Sequence, residues 1–169
     1  THAKLAKLFH DREVKKQYFA IVQGNPVRDR DVVDEPIGTH PRVREQMAIR
    51  RGPGEGKPAL TLYEVVERFR GFAVVQCKPK SGRTHQIRIH LSEAGHPIVG
   101  EKVYIRNFIG PLIPGYRVML HAAELGFIHP KSDEAVSWTQ PLPKDFKQRL
   151  KSLQLRSKAS PKQVKPAQQ

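Results

Sequence analysis

Three side chains that bind anions are crowded into one short segment in the middle of the chain. The segment Lys80-Ser-Gly-Arg-Thr-His-Gln-Ile-Arg-Ile-His90 carries Arg83, His85 and Arg88 where a predicted strand gives way to a helix. Backbone amides at a helix start favour anions, and arginine adds paired hydrogen bonds to phosphate or carboxylate. The segment therefore predicts an anion or carboxylate site. The alternative is that both arginines are ordinary surface residues of a basic chain.

The helix that carries these side chains is predicted to begin at Thr84 and to end at Gly95. The apolar positions on one of its faces are Ile87, Leu91 and Ala94. Arg88 lies one turn from Thr84 on a different face. It can therefore point into a cleft while its apolar neighbours hold the helix to the core.

Short β-prone runs separated by turn residues predict strands on both sides of this helix. The predicted strands are residues 17–22, 60–69, 72–79, 120–127 and 135–138. Arg70-Gly71 predicts a tight turn between the second and third of them. An amphipathic helix is predicted over residues 1–9, and a last helix from Pro143 to about Leu153.

A long polar stretch, residues 28–57, is interrupted by prolines and glycines and predicts no regular element. A stretch this irregular inside a compact domain is usually a functional loop or a disordered one. Its basic side chains Arg42, Arg44, Arg50 and Arg51 favour the functional loop.

The charge of the chain narrows its partners to polyanions. Its 169 residues include 30 Lys+Arg and 16 Asp+Glu, a net charge of +14. Such a field attracts nucleic acid or an anionic membrane surface. No apolar stretch approaches the roughly 20 residues that a membrane span needs, and the start does not resemble a signal peptide. We therefore expect a soluble, cytoplasmic protein.

The pattern of cysteine and histidine argues against a thiol nucleophile and a metal site. Cys77 lies in an apolar run, where burial explains it better than chemistry. With one cysteine, a zinc site would need histidines and carboxylates alone. The histidines at 40, 85, 90, 96, 121 and 129 show no metal-binding spacing, so we assign no metal.

Several stretches of the chain resemble one enzyme family. Gly82-Arg-Thr-His-Gln-Ile-Arg-Ile-His90, followed by Gly95-His-Pro-Ile-Val-Gly100, resembles the third signature segment of the RluA-type RNA pseudouridine synthases. Lys16-Gln-Tyr-Phe-Ala-Ile-Val-Gln-Gly24 resembles the family's Lys-x-Tyr-x-Ala-x-Val-x-Gly segment. Three further segments resemble the family's closing hairpin and the C-terminal end of its catalytic domain: Leu120-His-Ala122, Phe127-Ile-His-Pro130 and Pro141-Leu-Pro-Lys-Asp-Phe146. The resemblance covers about residues 1–150, in the family's order.

This resemblance implies a fold and an activity. The implied fold is α+β, the pseudouridine synthase fold, with a mixed, mostly antiparallel sheet flanked by helices. The implied reaction isomerises a uridine within structured RNA, either rRNA or tRNA, without cofactor or metal. The bond from ribose to the base nitrogen breaks, the uracil turns, and the ribose is rejoined to a base carbon. The uridine must first be flipped out of its stack. We expect the protein to be a monomer.

The resemblance also implies roles for particular residues. Tyr18 matches the active-site tyrosine, although standing alone it would be interpreted as a half-buried strand residue. Arg88 matches the arginine that pairs with the catalytic carboxylate and keeps it ionised. The residues expected to contact substrate or RNA are Arg83, Thr84, His85, Ile87, Arg42 and Arg44.

The chain departs from the family at the nucleophile. The family's aspartate belongs to a His-Arg-Leu-Asp-x-x-Thr-Ser-Gly segment that precedes the helix beginning at Thr1, and this segment does not occur here. The aspartates stand at 11, 29, 31, 34, 133 and 145 in other settings, and Asp34 is interpreted as a loop residue. We expect residues 1–153 to be a partial catalytic domain that is inactive as given, and residues 154–169 to be a disordered basic tail.

Two functions remain open at this point, with a weaker third. The first is a pseudouridine synthase whose N-terminal part has been cut away, and the second is a shortened protein that binds RNA without catalysis. The third, a general basic RNA chaperone, is disfavoured because charge alone needs neither Tyr18 nor Arg88. Residues 144–169 hold eight Lys+Arg and one Asp, half of the net charge. The tail fits a solubilising segment and an RNA-binding arm equally well.

Overall fold

A six-stranded sheet and three helices make up most of the structure, a computed structural model that describes residues 2–11 and 13–158. The helices are α1 (His2–His10), α2 (Gln86–Glu93) and α3 (Lys144–Lys158). The strands are β1 (Lys15–Gln23), β2 (Arg30–Asp34), β3 (Ile37–Thr39), β4 (Met47–Ile49), β5 (Leu60–Phe69), β6 (Phe72–Pro79), β7 (Leu120–Ile128) and β8 (Ala135–Thr139).

The main sheet has the strand order β2-β5-β6-β1-β7-β8, and β3 and β4 form a separate two-stranded sheet. The pairings between these strands are antiparallel. This confirms the α+β class with its mostly antiparallel sheet. The site-bearing strand β1 lies inside the sheet, with β6 on one side and β7 on the other.

The two hairpins of the main sheet follow from local sequence. The bounds of β5 and β6 are those predicted, and Gly71 between them has φ 82, a conformation that glycine adopts without a Cβ clash. The β7–β8 hairpin is confirmed as well. Local turn chemistry therefore set the edges of these strands.

The prediction that residues 28–57 contain no regular element is wrong. They include β2, β3 and β4, and β2 pairs with β5 from Arg30↔Glu64 to Asp34↔Leu60. Side chains along β2 alternate between exposed and half-buried. Asp34 consequently ends a strand rather than lying in a loop. One face of β2 is exposed to solvent, so the strand can carry polar side chains and lacks a continuous apolar run. Its partner β5 is distant in the sequence. The local pattern therefore did not indicate a strand here.

The last helix is longer than predicted. Residues 154–158 were assigned to the disordered tail, but α3 continues to Lys158. Leu150 and Leu153 pack against the core, and no proline occurs between Pro143 and Pro161. Because the first turns of the helix are anchored in this way, extending it by one residue costs little free energy, since each added residue gains one backbone hydrogen bond. The rest of the predicted tail, residues 159–169, lies outside the described residues.

The larger of two hydrophobic clusters in the described residues lies between the sheet and the helices α2 and α3. Its fully buried members include Ile21, Val75, Leu91, Ile98 and Phe146, each with at most 1% of its surface exposed. On α2, both Ile87 and Leu91 are buried in this core, whereas Ala94 is only half-buried. The core therefore fixes α2 against the strands, and α2 in turn fixes the polar segment that precedes it.

Helix α1 is poorly covered by the rest of the protein. None of its residues is buried, and its apolar side chains Leu5 and Leu8 are half-buried while Phe9 is 48% exposed.

No helix among the described residues is both long and apolar enough to span a bilayer.

Candidate active-site cleft

A cleft of about 210 Å³ opens where β1, the end of β6 and the first turn of α2 meet. The predicted site residues that line it are Tyr18, Arg83, His85, Ile87 and Arg88. Among the described residues, no aspartate or glutamate lines it. The structure thus brings together most of the residues that the sequence singled out, in a cleft that combines three cationic side chains and one tyrosine with apolar and neutral polar residues.

Tyr18 occupies a fixed backbone position in the middle of the sheet. It pairs with Cys77 of β6 and with Ala122 of β7. The register on the β7 side skips Ala123, so β7 carries an extra residue opposite the bond between Gln17 and Tyr18. Such bulges re-aim side chains and are over-represented near active sites. The ring of Tyr18 packs against the core while it also lines the cleft.

Arg88 is held by a carboxylate from within the chain. Its Nε and Nη2 donate to the two carboxylate oxygens of Glu101 at 2.8 and 2.7 Å. The Glu101 side chain is completely buried, whereas that of Arg88 keeps 20% of its surface. The backbone N–H groups of Lys102, Val103 and Tyr104 also donate to Glu101. Arg88 is therefore oriented before any ligand arrives.

The charge of Glu101 is maintained by these hydrogen bonds. Burial by itself would raise the pKa of this carboxyl, but the bond from Arg88 and the backbone N–H groups of Val103 and Tyr104 outweigh it and lower the pKa. The same bond from Glu101 raises the pKa of Arg88. The pair is thus ionised at neutral pH.

Tyr104 connects the cleft to the β3–β4 hairpin. Its ring lies 5.0 Å from the guanidinium carbon of Arg88, a cation–π distance. Its hydroxyl oxygen lies 2.8 Å from Nδ1 of His85 and accepts the Met47 N–H at 3.2 Å. Burial and the charge of Arg88 lower the pKa of His85, so the imidazole is neutral at pH 7.

His85 itself has an unusual backbone. It is the N-cap residue of α2, with φ 54 in the left-handed region, and its side chain makes no capping hydrogen bond. Histidine tolerates this region better than most residues. The conformation turns the chain sharply between Arg83 and α2.

Below the cleft, Gln86 ties the start of α2 to β5. Its Nε2 donates to the Leu60 carbonyl and to Thr61 Oγ1, both at 3.0 Å. Its Oε1 accepts the Ser81 hydroxyl at 2.7 Å and the Arg83 N–H at 3.1 Å. All four hydrogen-bonding positions of this buried amide are filled, so the segment before α2 is rigidly held.

His90 continues this network on the far side of Thr61. The Thr61 hydroxyl lies 2.8 Å from Nδ1, and Nε2 lies 2.9 Å from the Glu35 carbonyl. Because a carbonyl only accepts, we assign the proton to Nε2. Burial lowers the pKa of His90, which keeps the ring neutral.

The remaining predicted contacts lie elsewhere. Arg42 and Arg44 are exposed in the loop between β3 and β4, outside the lining of the cleft. Thr84 is exposed just before the N-cap and is also absent from the lining. The predicted set therefore divides into a cleft and a separate basic hairpin.

Three residues that sequence reasoning did not assign to the site, Lys16, Glu101 and Tyr104, belong to it or support it. Lys16 stood in a recognised segment, but only its neighbour Tyr18 was given a role. Glu101 directly follows the recognised Gly95–Gly100 stretch, and a carboxylate beside an apolar run was the one local signal of a buried ion pair.

The structure describes the surroundings of Cys77 and of the possible metal ligands. Cys77 is fully buried in β6 as predicted, and burial raises the pKa of its thiol to about 12. Among the described residues, no group of three or more His, Cys, Asp or Glu side chains could hold a metal ion.

The comparisons with known proteins identify the family. Residues 1–93 match the family described as RNA pseudouridylate synthase. The chain belongs to this family. It is 40% identical over 154 residues to the ribosomal large subunit pseudouridine synthase D of Nitrosomonas europaea, an overlap of 88% of this chain and 44% of that protein. It is 36% identical over 154 residues to an uncharacterized RNA pseudouridine synthase of Bacillus subtilis, covering 90% of this chain and 48% of that one.

Solved structures confirm the pseudouridine synthase fold. Human RNA pseudouridylate synthase domain containing 1 matches with a TM-score of 0.67 and 28% identity, over 94% of this chain and 71% of that chain. Human RNA pseudouridylate synthase domain containing 4 matches with a TM-score of 0.71 and 26% identity, over 89% and 66%. The chain spans about half the length of the curated family members that it matches.

Proposed function

We propose that this chain forms the base- and phosphate-binding side of an RNA pseudouridine synthase active site, which isomerises uridine to pseudouridine in structured RNA. The observation that carries the proposal is the convergence of Tyr18, Arg83, His85 and Arg88 in one cleft that has no carboxylate of its own. A nucleophilic aspartate supplied from outside residues 1–169 would complete the cleft. The RNA is rRNA or tRNA.

In this proposal Tyr18 stacks on the flipped uracil, with its hydroxyl near the base carbon that loses a proton. The ribose–nitrogen bond breaks, the uracil rotates, and a ribose–carbon bond forms in its place; that carbon loses its proton and the freed ring nitrogen takes one up, so the product is an isomer of the substrate. Arg88 faces the incoming carboxylate with Nη1, which has no hydrogen-bond partner in the part of the chain that the structure describes. Glu101 serves as the positioning residue that holds Arg88.

Arg83 is proposed to contact the RNA backbone. Its Nε donates to the Pro58 carbonyl at 3.0 Å, which directs the guanidinium while both terminal nitrogens stay free of protein partners among the described residues. Flipping a base costs a few kcal/mol of stacking, and contacts to flanking phosphates offset that cost. Arg83 and the exposed arginines of the β3–β4 hairpin supply such contacts. The working form is proposed to be a cytoplasmic monomer that needs no metal.

The test is tritium release from RNA labelled at uracil C5. This chain is compared with a version extended upstream to include the family's aspartate segment, and we expect only the extended version to release label. Tyr18→Phe in the extended version is expected to abolish release. Tyr116→Phe is the matched control, because that ring is 77% exposed and bonds Asp145 instead of lining the cleft. Undiminished release by Tyr18→Phe contradicts the proposal.

RNA binding without catalysis is the second candidate function, and one observation favours it for the chain as given. The six aspartates are all described, and none lines the cleft. Asp29 pairs with Arg68 and Asp145 with Arg117, both at 2.9 Å, so these carboxylates are already engaged elsewhere. If the extended version also fails to release label while both versions bind RNA, the binding function replaces the catalytic one.

A further inference from the structure

Lys16 is a cation of the cleft that the proposed mechanism does not yet use. It lines the cleft beside Tyr18, and its side chain is half-buried. Its ammonium donates to the Ser81 carbonyl at 3.1 Å. It forms no ion pair with any described residue.

The neighbouring lysine behaves differently. Lys15 is exposed, and its ammonium lies 2.9 Å from Glu124 Oε1. Successive side chains of a strand point to opposite faces. The extra residue at the bulge is on β7, so β1 keeps this alternation and Lys16 shares a face with Tyr18. The two lysines therefore form a natural pair of test site and control.

The surroundings of Lys16 leave its charge uncompensated. An ammonium carries three donors, and the Ser81 carbonyl satisfies one of them. Burial lowers the pKa of Lys16, which shows that its surroundings disfavour the charge. Arg83, in the same cleft, likewise has no carboxylate partner within the described chain. Partly desolvated cations without protein anions favour a ligand that brings its own negative charge.

We propose that Lys16 binds a phosphate of the target nucleotide while Tyr18 stacks on its uracil. The proposal deepens the proposed function and rests on it. A phosphodiester brings a full negative charge, whereas the carbonyl oxygens of uracil bring none. Lys16 and Tyr18 are two positions apart on β1, so their side chains lie next to each other on one face of the strand. The phosphate and the uracil of one nucleotide would therefore bind side by side in the cleft.

The test measures binding of the 169-residue chain to a fluorescent, single-stranded oligouridine by anisotropy, at salt concentrations from 50 to 300 mM. Lys16→Met keeps the apolar stem and removes the charge. We expect it to weaken binding on the order of tenfold at low salt, since bonds to charged groups have that strength. The slope of log affinity against log salt should fall by about 0.7, the value for one phosphate contact on a single strand.

Matched variants separate the possible outcomes. Lys15→Met removes the same charge from the opposite face and should change affinity and slope much less, while Lys16→Arg should restore both. Equal losses in Lys16→Met and Lys15→Met overturn the proposal, because the general field of the protein then explains them. A loss of affinity in Lys16→Met with an unchanged slope also overturns it, since the ligand atom would then be uncharged.

Tyr18→Ala in the same assay distinguishes this proposal from the proposed function. If Tyr18→Ala weakens binding but Lys16→Met does not, the phosphate assignment alone is wrong. If neither variant weakens binding, the cleft is not the RNA site and both proposals fail. Circular dichroism and thermal unfolding of each variant confirm that it is folded.

Discussion

The cleft beside α2 and the β3–β4 hairpin both present arginine, but they hold it in different ways. In the cleft, Arg88 is fixed by the buried Glu101 and lies against the ring of Tyr104. On the hairpin, Arg42 and Arg44 are exposed, and no side-chain bond or ion pair holds them within the described structure. A cation fixed before binding imposes geometry on its ligand, whereas mobile surface cations supply long-range attraction. Arg88 is therefore suited to orienting a reacting group, whereas Arg42 and Arg44 are suited to attracting RNA to the surface.

The largest expected effect comes from breaking the buried pair of the cleft. Arg88→Met leaves the carboxylate of Glu101 buried without its partner, and we expect a loss of about 3–5 kcal/mol of folding free energy. Urea denaturation measures it. Arg88→Met combined with Glu101→Met should recover much of the loss, because no charge is then left unpaired.

The matched control for Arg88 is Arg117, which pairs with Asp145 at a half-exposed site. Arg117→Met should cost less folding free energy than Arg88→Met, because both side chains of this pair remain partly in water, which screens their charges. If the two arginine variants are equally destabilised, the distinction between a fixed cleft and an ordinary ion pair is wrong.

A smaller effect is expected at His90, which anchors the network below the cleft. His90→Leu leaves the Thr61 O–H without an acceptor and the Glu35 carbonyl without its donor, while Thr61 Oγ1 still accepts the Gln86 N–H, at a cost of about 2 kcal/mol at pH 7. Burial holds the folded-state pKa of His90 below the unfolded value of 6.5. The unfolded chain therefore takes up the proton first, and stability falls as the pH drops below about 6.5.

Thermal unfolding between pH 7.5 and 5 measures this dependence. His90→Leu should flatten the profile only in part, because the pKa of His85 is lowered in the same direction. The control is His2→Leu, which removes a histidine from the exposed surface of α1, away from the network below the cleft. An identical pH profile for wild type and His90→Leu would show that His90 does not contribute to the acid sensitivity.

Tyr104→Phe tests the connection between the two regions. It removes the hydroxyl that contacts both His85 and the Met47 N–H, at an expected cost of about 1 kcal/mol. Hydrogen exchange of the Met47 amide should accelerate. Tyr116→Phe, whose hydroxyl bonds the exposed side of Asp145, should leave that amide unchanged. Unchanged exchange in Tyr104→Phe means that the hairpin is held by other contacts.

The smallest effect on stability is expected on the hairpin. Arg42→Ala and Arg44→Ala should each change the folding free energy by less than about 0.5 kcal/mol. Each should lower the salt slope of binding to a structured RNA by about 1 and leave its sequence preference unchanged. Loss of stability comparable to that of Arg88→Met would place these arginines in a fixed site and remove the contrast between the regions.

The sequence by itself determined the elements whose signals are local. The β5–β6 hairpin follows from two apolar runs around Arg70-Gly71, and α2 follows from a change of periodicity before Gly95. The motif segments were enough to select Tyr18, Arg83 and Arg88 and to indicate the family. These signals come from residues close together in the sequence, and in these elements the local preference agrees with the fold.

Only the tertiary structure decided how those elements are combined. Strand β2 was missed because its partner β5 is distant in the chain and its own side chains are half-exposed. The partner of Arg88 is Glu101, a residue that packing brings to it. Lys16 forms no ion pair with a carboxylate of the described residues, because it lies on the face of β1 that it shares with Tyr18. Ion pairing and desolvation depend on distances between side chains, and these distances exist only once strands and helices have packed.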